Sequence, residues 1–290
     1  MKKLIEFKKQ RELGEILTDT FGFIREEFKP FSKTVLQICG PYLLLFLIAL
    51  SFYVYSSGDL FNFQIGNELQ QNNLPLLFGS LIAFMIFGVL AYTFADSAVL
   101  HYIKSYIQNE GRVNVDEVKQ NVKDTFWGFL GLSILKVITL IVAVLICCLP
   151  IFYAMVPMYV VFCIYIFENK DATTAYSYSF SLIKSEFWMT FATIIVIGLI
   201  VMIASYAFGI PAAIYSIAKM GMFSGEIDPA NMQDFIDPVY IFLNVLSYLF
   251  KFLLNLILTV SAALIYFNLN ERQNFTGTFE RIQSLGKTDD

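Results

Sequence analysis

Four ionisable side chains fall inside or at the edge of long apolar runs: Asp96, Lys136, Lys251 and His101. Such a group in hydrocarbon is costly, so it pairs, lines a cavity or carries a proton. Asp96 lies about eight residues from the end of its run and Lys136 about nine from the start of the next, which puts both ~12–14 Å deep at ~1.5 Å per residue. An Asp96–Lys136 ion pair between consecutive antiparallel helices fits that spacing. The alternative is a Lys136 that reaches back to the surface and an Asp96 that accepts from Ser or Tyr hydroxyls. His101, three residues before Lys104, titrates near neutrality and suits either a proton relay beside Asp96 or a structural hydrogen bond at the boundary.

Around Lys251, the residues Asn244, Ser247, Asn255 and Thr259 fall within about 120° on a helical wheel and make one polar stripe. A stripe of this kind should face a bundle interior, either as dry glue between helices or as the wall of a wet cavity. Tyr153, Tyr159 and Tyr165 in the fourth run, 150–168, are candidates to meet it. For catalysis the pattern is poor. There is no nucleophile elbow, phosphate loop, His-rich metal set or close acidic pair within a run. The four Cys (Cys39, Cys147, Cys148 and Cys163) lie in apolar runs without metal or redox spacing and read as buried thiols. No enzyme activity, cofactor or metal is expected. A net charge of −4 and a pI near 5.2 argue against nucleic acid as a partner.

The elements that hold these groups follow from composition. With 57% hydrophobic residues, 15% charged and a mean hydropathy of +0.63, a soluble fold would leave most of its apolar surface wet. Runs at 33–55, 75–103, 127–149, 150–168, 188–216 and 239–268 are each long enough to cross ~30 Å of hydrocarbon. Their continuity predicts helices, since barrel strands would alternate over about ten residues. The expected fold is an all-α polytopic membrane bundle of six transmembrane helices. Gly40-Pro41, Pro157 and Gly209-Ile210-Pro211 are expected to kink or interrupt their helices, and Ala91 and Ala95 are spaced for close helix contact.

Seventeen of the twenty Lys and Arg residues occupy every other gap between these runs. Residues 1–33 carry eight, 104–126 four, 168–187 two and the C-terminal tail three, whereas 56–74 has none and 217–238 has Lys219 alone. The positive-inside rule then places both termini in the cytoplasm. The first thirty residues are too charged for a signal peptide, so the first run is expected to be an uncleaved anchor. The loops at 56–74 and 217–238 are long enough to cap the bundle or bind a partner.

Three basic segments share a motif. Arg25-Glu26-Glu27-Phe28, Lys123-Asp124-Thr125-Phe126 and Lys184-Ser185-Glu186-Phe187 each precede an apolar run, and Trp127 and Trp188 follow the second and third. The order predicts three repeated units, each a cytoplasmic amphipathic helix followed by a transmembrane hairpin, with aromatics at headgroup depth. All three start on the same side, unlike the inverted repeats of many transporters. The single integral membrane domain, 1–290, then divides into an amphipathic segment at 1–32, a hairpin at 33–103, a second segment and hairpin at 104–168, a third at 169–268, and a cytoplasmic tail at 269–290.

The stretch Thr18-Asp19-Thr20-Phe21-Gly22-Phe23-Ile24-Arg25, and its echo Tyr178-Ser179-Phe180-Ser181-Leu182-Ile183-Lys184 with Phe187-Trp188, resemble a broad group of six-span bacterial inner-membrane proteins. That group includes YciC-like proteins and the membrane domain of some glycerophosphoryl diester phosphodiesterases. The resemblance implies architecture and a bacterial inner-membrane location; no phosphodiesterase domain accompanies it in this chain.

Two functions remain open. One is a non-enzymatic accessory, scaffold or assembly protein acting through contacts with membrane lipids and other membrane proteins. The other is a carrier or lipid-handling protein with a polar central cavity, in which Lys251, Asp96 and Lys136 meet an anionic substrate. Cysteines placed along the 244–259 stripe distinguish them: an impermeable thiol reagent labels a wet path and leaves dry glue untouched.

Overall fold

Hydrocarbon offers a backbone no partner but itself, and the apolar runs respond as α-helices in the computed structural model, which describes residues 4–57, 74–146, 148–219 and 236–285. In chain order the helices are α1 (Leu13–Ser57), α2 (Leu74–Gln108), α3 (Val115–Ile146), α4 (Cys148–Phe167), α5 (Ala172–Leu182), α6 (Phe187–Lys219), α7 (Pro238–Asn274) and α8 (Thr276–Leu285). Six of them, all except α5 and α8, are long and apolar enough to cross a membrane. This is the architecture of a multi-pass helical membrane protein. Nearly all of the 56–74 and 217–238 loops, and Cys147, lie outside the described residues; Cys39 and Cys163 are buried free thiols.

Helix boundaries differ from the sequence expectation in two of the three repeated segments. The amphipathic residues 13–32 form no separate helix but are the first turns of α1, a single helix of 45 residues. Residues 115–126 likewise begin α3. Only the third basic segment has its own helix, α5, started by Asp171, whose carboxylate accepts from the Thr174 amide at 3.1 Å and the Thr174 hydroxyl at 2.6 Å. Hydrogen bonds from Thr173 and Thr174 hold that carboxyl below its usual range. Turns at 183–186 then separate α5 from α6. Pro41, Pro157 and Pro211 all lie inside helices that continue past them, because neighbouring groups in a membrane bundle can take up the carbonyl a proline leaves free.

By Cα proximity the chain forms two compact units. The first comprises Met1–Ile38, Thr93–Ile200 and Leu256–Asp290. Its α3–α4 hairpin is closed by Phe129 stacked on Phe162, centroids 4.3 Å apart. Gly128 lies so close to the Tyr165 hydroxyl that a side chain there would collide with it. Phe7, Phe23 and Tyr106 form a separate cluster of edge-to-face rings at 5.2–6.0 Å. The second unit comprises Cys39–Tyr92 and Val201–Asn255, with Phe46 and Phe84 stacked at 5.3 Å and Phe208 on Phe250 at 4.2 Å.

No motif announces that the chain ends are tied together. Lys8 pairs with Glu280 at 2.5 Å and Arg281 with Glu6 at 3.0 Å. Between them Glu271, 1% exposed, accepts from the amides of Gly277 at 2.6 Å and Thr278 at 2.9 Å, capping α8. Phe275, with φ of 52°, makes the reversal from α7 into α8. The tail at 269–290 is thus the last turns of α7 and a docked helix over its described part. A Cβ on Gly277 would collide with the Lys8 carbonyl. Gly277→Ala is therefore expected to destabilise by about 1–3 kcal/mol as overpacking, whereas Gly131→Ala, with open space around it, should leave the melting temperature in detergent unchanged.

Candidate functional site

The register of α2 against α3 decides which intramembrane groups meet. Thr93 donates to Ser133 at 3.5 Å and His101 Nε2 lies 2.9 Å from the Thr125 hydroxyl; both pairs are eight residues apart on each helix, as two antiparallel helices require. Asp96 lies three residues beyond Thr93 and Lys136 three beyond Ser133, in opposite axial directions. They are thus offset by six residues, about 9 Å along the axis at ~1.5 Å per residue.

The two charges accordingly form no direct ion pair. Asp96 accepts from the Thr259 hydroxyl of α7 at 2.6 Å, and the Lys136 ammonium sits over the Phe162 ring, 4.9 Å from its centroid. Each charge still acts electrostatically on the other. One turn along α4 from Cys163, the Tyr159 hydroxyl reaches the Leu258 carbonyl at 3.0 Å and Ser261 at 2.7 Å. The first unit therefore gathers Asp96, Tyr159, Thr259 and Ser261 where α2 and α4 meet α7. A charge-assisted bond in a low-dielectric setting is the strongest link in this set.

His101 is 3% exposed and faces α3, while Asp96 faces α7, so the relay geometry is not formed. Thr125 donates its own hydrogen to the Asn121 carbonyl at 2.8 Å, so His101 Nε2 must be the donor to Thr125. Nδ1 is then a buried acceptor without a partner, as is the hydroxyl oxygen of Ser97 one turn earlier.

The α7 stripe divides between the units. Thr259 belongs to the first and is bound to Asp96. Asn244, Ser247, Lys251 and Asn255 belong to the second. There the Asn244 amide donates to the Tyr240 carbonyl at 2.9 Å, Ser247 is buried with an unpartnered hydroxyl, and the Lys251 ammonium is 4.8 Å from the Tyr248 centroid. At the start of α7, Asp237 binds Lys219 at 3.3 Å and accepts from the Tyr215 hydroxyl. These contacts, led by Tyr215 and the Tyr240 amide, pull its carboxyl down to about 2.

The interfacial residues share an outward aspect but not one local structure. Arg25, Lys123 and Lys184 are exposed, as are Trp127 at 78% and Trp188 at 77%. Phe28 is itself exposed, whereas Phe126 stacks on Phe94 at 4.7 Å and Phe187 on Tyr153 at 5.4 Å.

Sequence reasoning missed the buried polar residues of the first unit. Arg11 is 2% exposed; its guanidinium donates to Asp19 at 2.9 Å and to the Phe7 carbonyl at 2.7 Å. Burial pushes its pKa down against the opposing pull of Asp19. Glu27, also buried, accepts from the Tyr102 hydroxyl at 3.0 Å. A signal for Glu27 was present: Ile16, Thr20, Phe23, Glu27 and Phe31 recur at intervals of three and four and fall on one buried face of α1.

Comparison with models of known families, with curated proteins and with solved structures finds no match. The geometry alone thus defines the test. In double-mutant cycles read by thermal unfolding, Asp96→Leu and Thr259→Val should couple by about 1–3 kcal/mol. Asp96→Asn and Lys136→Gln should couple by less than about 0.5 kcal/mol, the level of non-contacting sites. The reverse ranking would restore the direct ion pair.

Proposed function

We propose that this chain is a non-enzymatic inner-membrane protein of bacteria, with both termini cytoplasmic, that acts through protein or lipid contacts as an accessory, scaffold or assembly subunit of an envelope complex. The observation that carries the reading is how the polar groups are divided. Asp96, Tyr159 and His101 are committed to groups on neighbouring helices, while Arg25, Lys123 and Lys184 and the aromatics Phe28, Trp127 and Trp188 of the three interfacial segments are exposed. Bonds of the first kind hold a bundle together. Exposed Trp and Phe beside Arg and Lys are the anchors that settle at headgroup depth. The alternation of basic gaps supports the orientation, and the resemblance to six-span inner-membrane proteins supports the location.

The same basic-x-x-Phe order before α1's apolar half, in α3 and before α6 supports an origin by triplication. On this view the units have since diverged: the first two run unbroken into their spans, and the third is interrupted at 183–186.

The test pairs purification in mild detergent, followed by mass spectrometry of co-purifying proteins and lipids, with substitutions on both kinds of group. Phe28→Ser, Trp127→Ser and Trp188→Ser together should lower partner or lipid recovery several-fold, and Asp96→Asn should not. Loss of cellular function in a normally accumulating Asp96→Asn variant would put an intramembrane chemical role in place of the contact reading.

A further inference from the structure

In the second unit the described residues hold two cations and one carboxylate. The carboxylate, Asp237, is committed to Lys219 and Tyr215. Lys251 is left half-buried in the middle of α7, with the face of Tyr248 as its contact. That ring is itself fixed by Phe46 and Phe84, at 6.4 and 6.2 Å. A cation in this position needs an anion, and among the described residues no carboxylate supplies it.

The surroundings of Lys251 show which way it faces. Phe242, 63% exposed, and Leu246, 37% exposed, mark the outward side of α7. At ~100° per residue Lys251 lies roughly 180° and 140° round from them, turned away from lipid. A partner's transmembrane helix docked on the outer face would not reach it. One turn before it, Ser247 is 3% exposed and its hydroxyl has no partner. One turn after it, the half-buried amide of Asn255 bonds to none of the described residues. A buried hydroxyl without an acceptor is costly. Here it stands on the same helix face as a cation that no carboxylate among the described residues pairs.

We propose that Lys251 and Ser247 form an anion subsite that binds the headgroup of a membrane amphiphile, a carboxylate or phosphate monoester attached to an acyl chain. Lys251 supplies the charge and Ser247, one turn before it, donates a hydrogen bond to the headgroup; Asn255, about 12 Å from Ser247 along the axis at ~1.5 Å per residue, extends the polar face beyond Lys251. Phe84, half-buried beside the Tyr248 ring, suits an apolar chain better than a hydrated ion. The inference deepens the lipid side of the contact reading and rests on it.

The test uses the full-length protein in neutral detergent and measures saturable binding of oleate, of dioleoyl phosphatidic acid and of the uncharged analogue monoolein. Binding of either anion, with monoolein at least tenfold weaker, is expected; oleate alone identifies a carboxylate ligand and phosphatidic acid alone a phosphate. Lys251→Gln should weaken binding at least tenfold and Lys251→Arg less than threefold. Arg112→Gln, which removes an exposed charge elsewhere, should have no effect. Should Lys251→Gln elute abnormally on size exclusion, Ser247→Ala carries the test with an expected loss of several-fold. Equal binding of monoolein, no binding of either anion, or indifference to both Lys251→Gln and Ser247→Ala overturns the subsite. Full competition by millimolar inorganic phosphate overturns the amphiphile as its ligand. Such failures leave the contact reading intact, because that reading is tested at Phe28, Trp127 and Trp188.

Discussion

Water is absent from the interior of a bilayer, and most of this structure can be understood as the response of polar groups to its loss. The backbone answers by forming helices through every described apolar run. Hydroxyls answer locally: Thr125, Ser133 and Thr139 each return their hydrogen to the carbonyl four residues back. A carboxylate cannot be satisfied by its own helix in this way, so Asp96 takes a hydroxyl from α7. Thr259 is in this sense the complement of Asp96. α7 and α4 are the most enclosed of the long helices, with 67% and 56% of their most apolar windows buried against 17% for α3. These two helices carry Thr259, Ser261 and Tyr159, whose hydrogen bonds gather where α2 and α4 meet α7.

The same constraint explains what the sequence made readable. Run length and charge placement are one-dimensional properties, and they sufficed for six membrane-length helices. The stripe on α7 is a property of one helix and was readable with its members. Which of them meets Asp96 depends on the axial register of separate helices, fixed by packing of groups such as Phe129 against Phe162. Pairing of Asp96 with Lys136 was plausible by depth but fails by about six residues of offset. Proline and glycine suggested kinks or interruptions, and the helices run on without interruption because neighbouring groups in a packed bundle can take up a freed carbonyl. α8 was missed for another reason: its ten residues owe their place to Glu271 and Lys8, neither of which is adjacent to it in a readable motif.

The two classes of charge in the chain are handled differently. At the chain ends, Lys8, Arg281, Glu6 and Glu280 form exposed or half-exposed pairs, each of modest individual value and sensitive to salt. Buried Arg11 instead donates mostly to backbone carbonyls, and buried Glu271 accepts from two backbone amides and from threonine hydroxyls. Removing a partner there leaves an uncompensated charge, so these buried residues govern local integrity more than the surface pairs around them.

The clasp between Lys8 and Glu280 joins residues 272 positions apart. A chain made from its N-terminus at ~5–20 residues per second exposes Lys8 long before Glu280 exists. For most of synthesis the first dozen residues, including Phe7, must wait beside a growing set of membrane helices without their final neighbour. Closure can come only after Glu280 has left the ribosome, so this contact forms later than every helix that precedes it. Until then the N-terminal segment stays without the partner that clasps it, whatever the helices between have already formed.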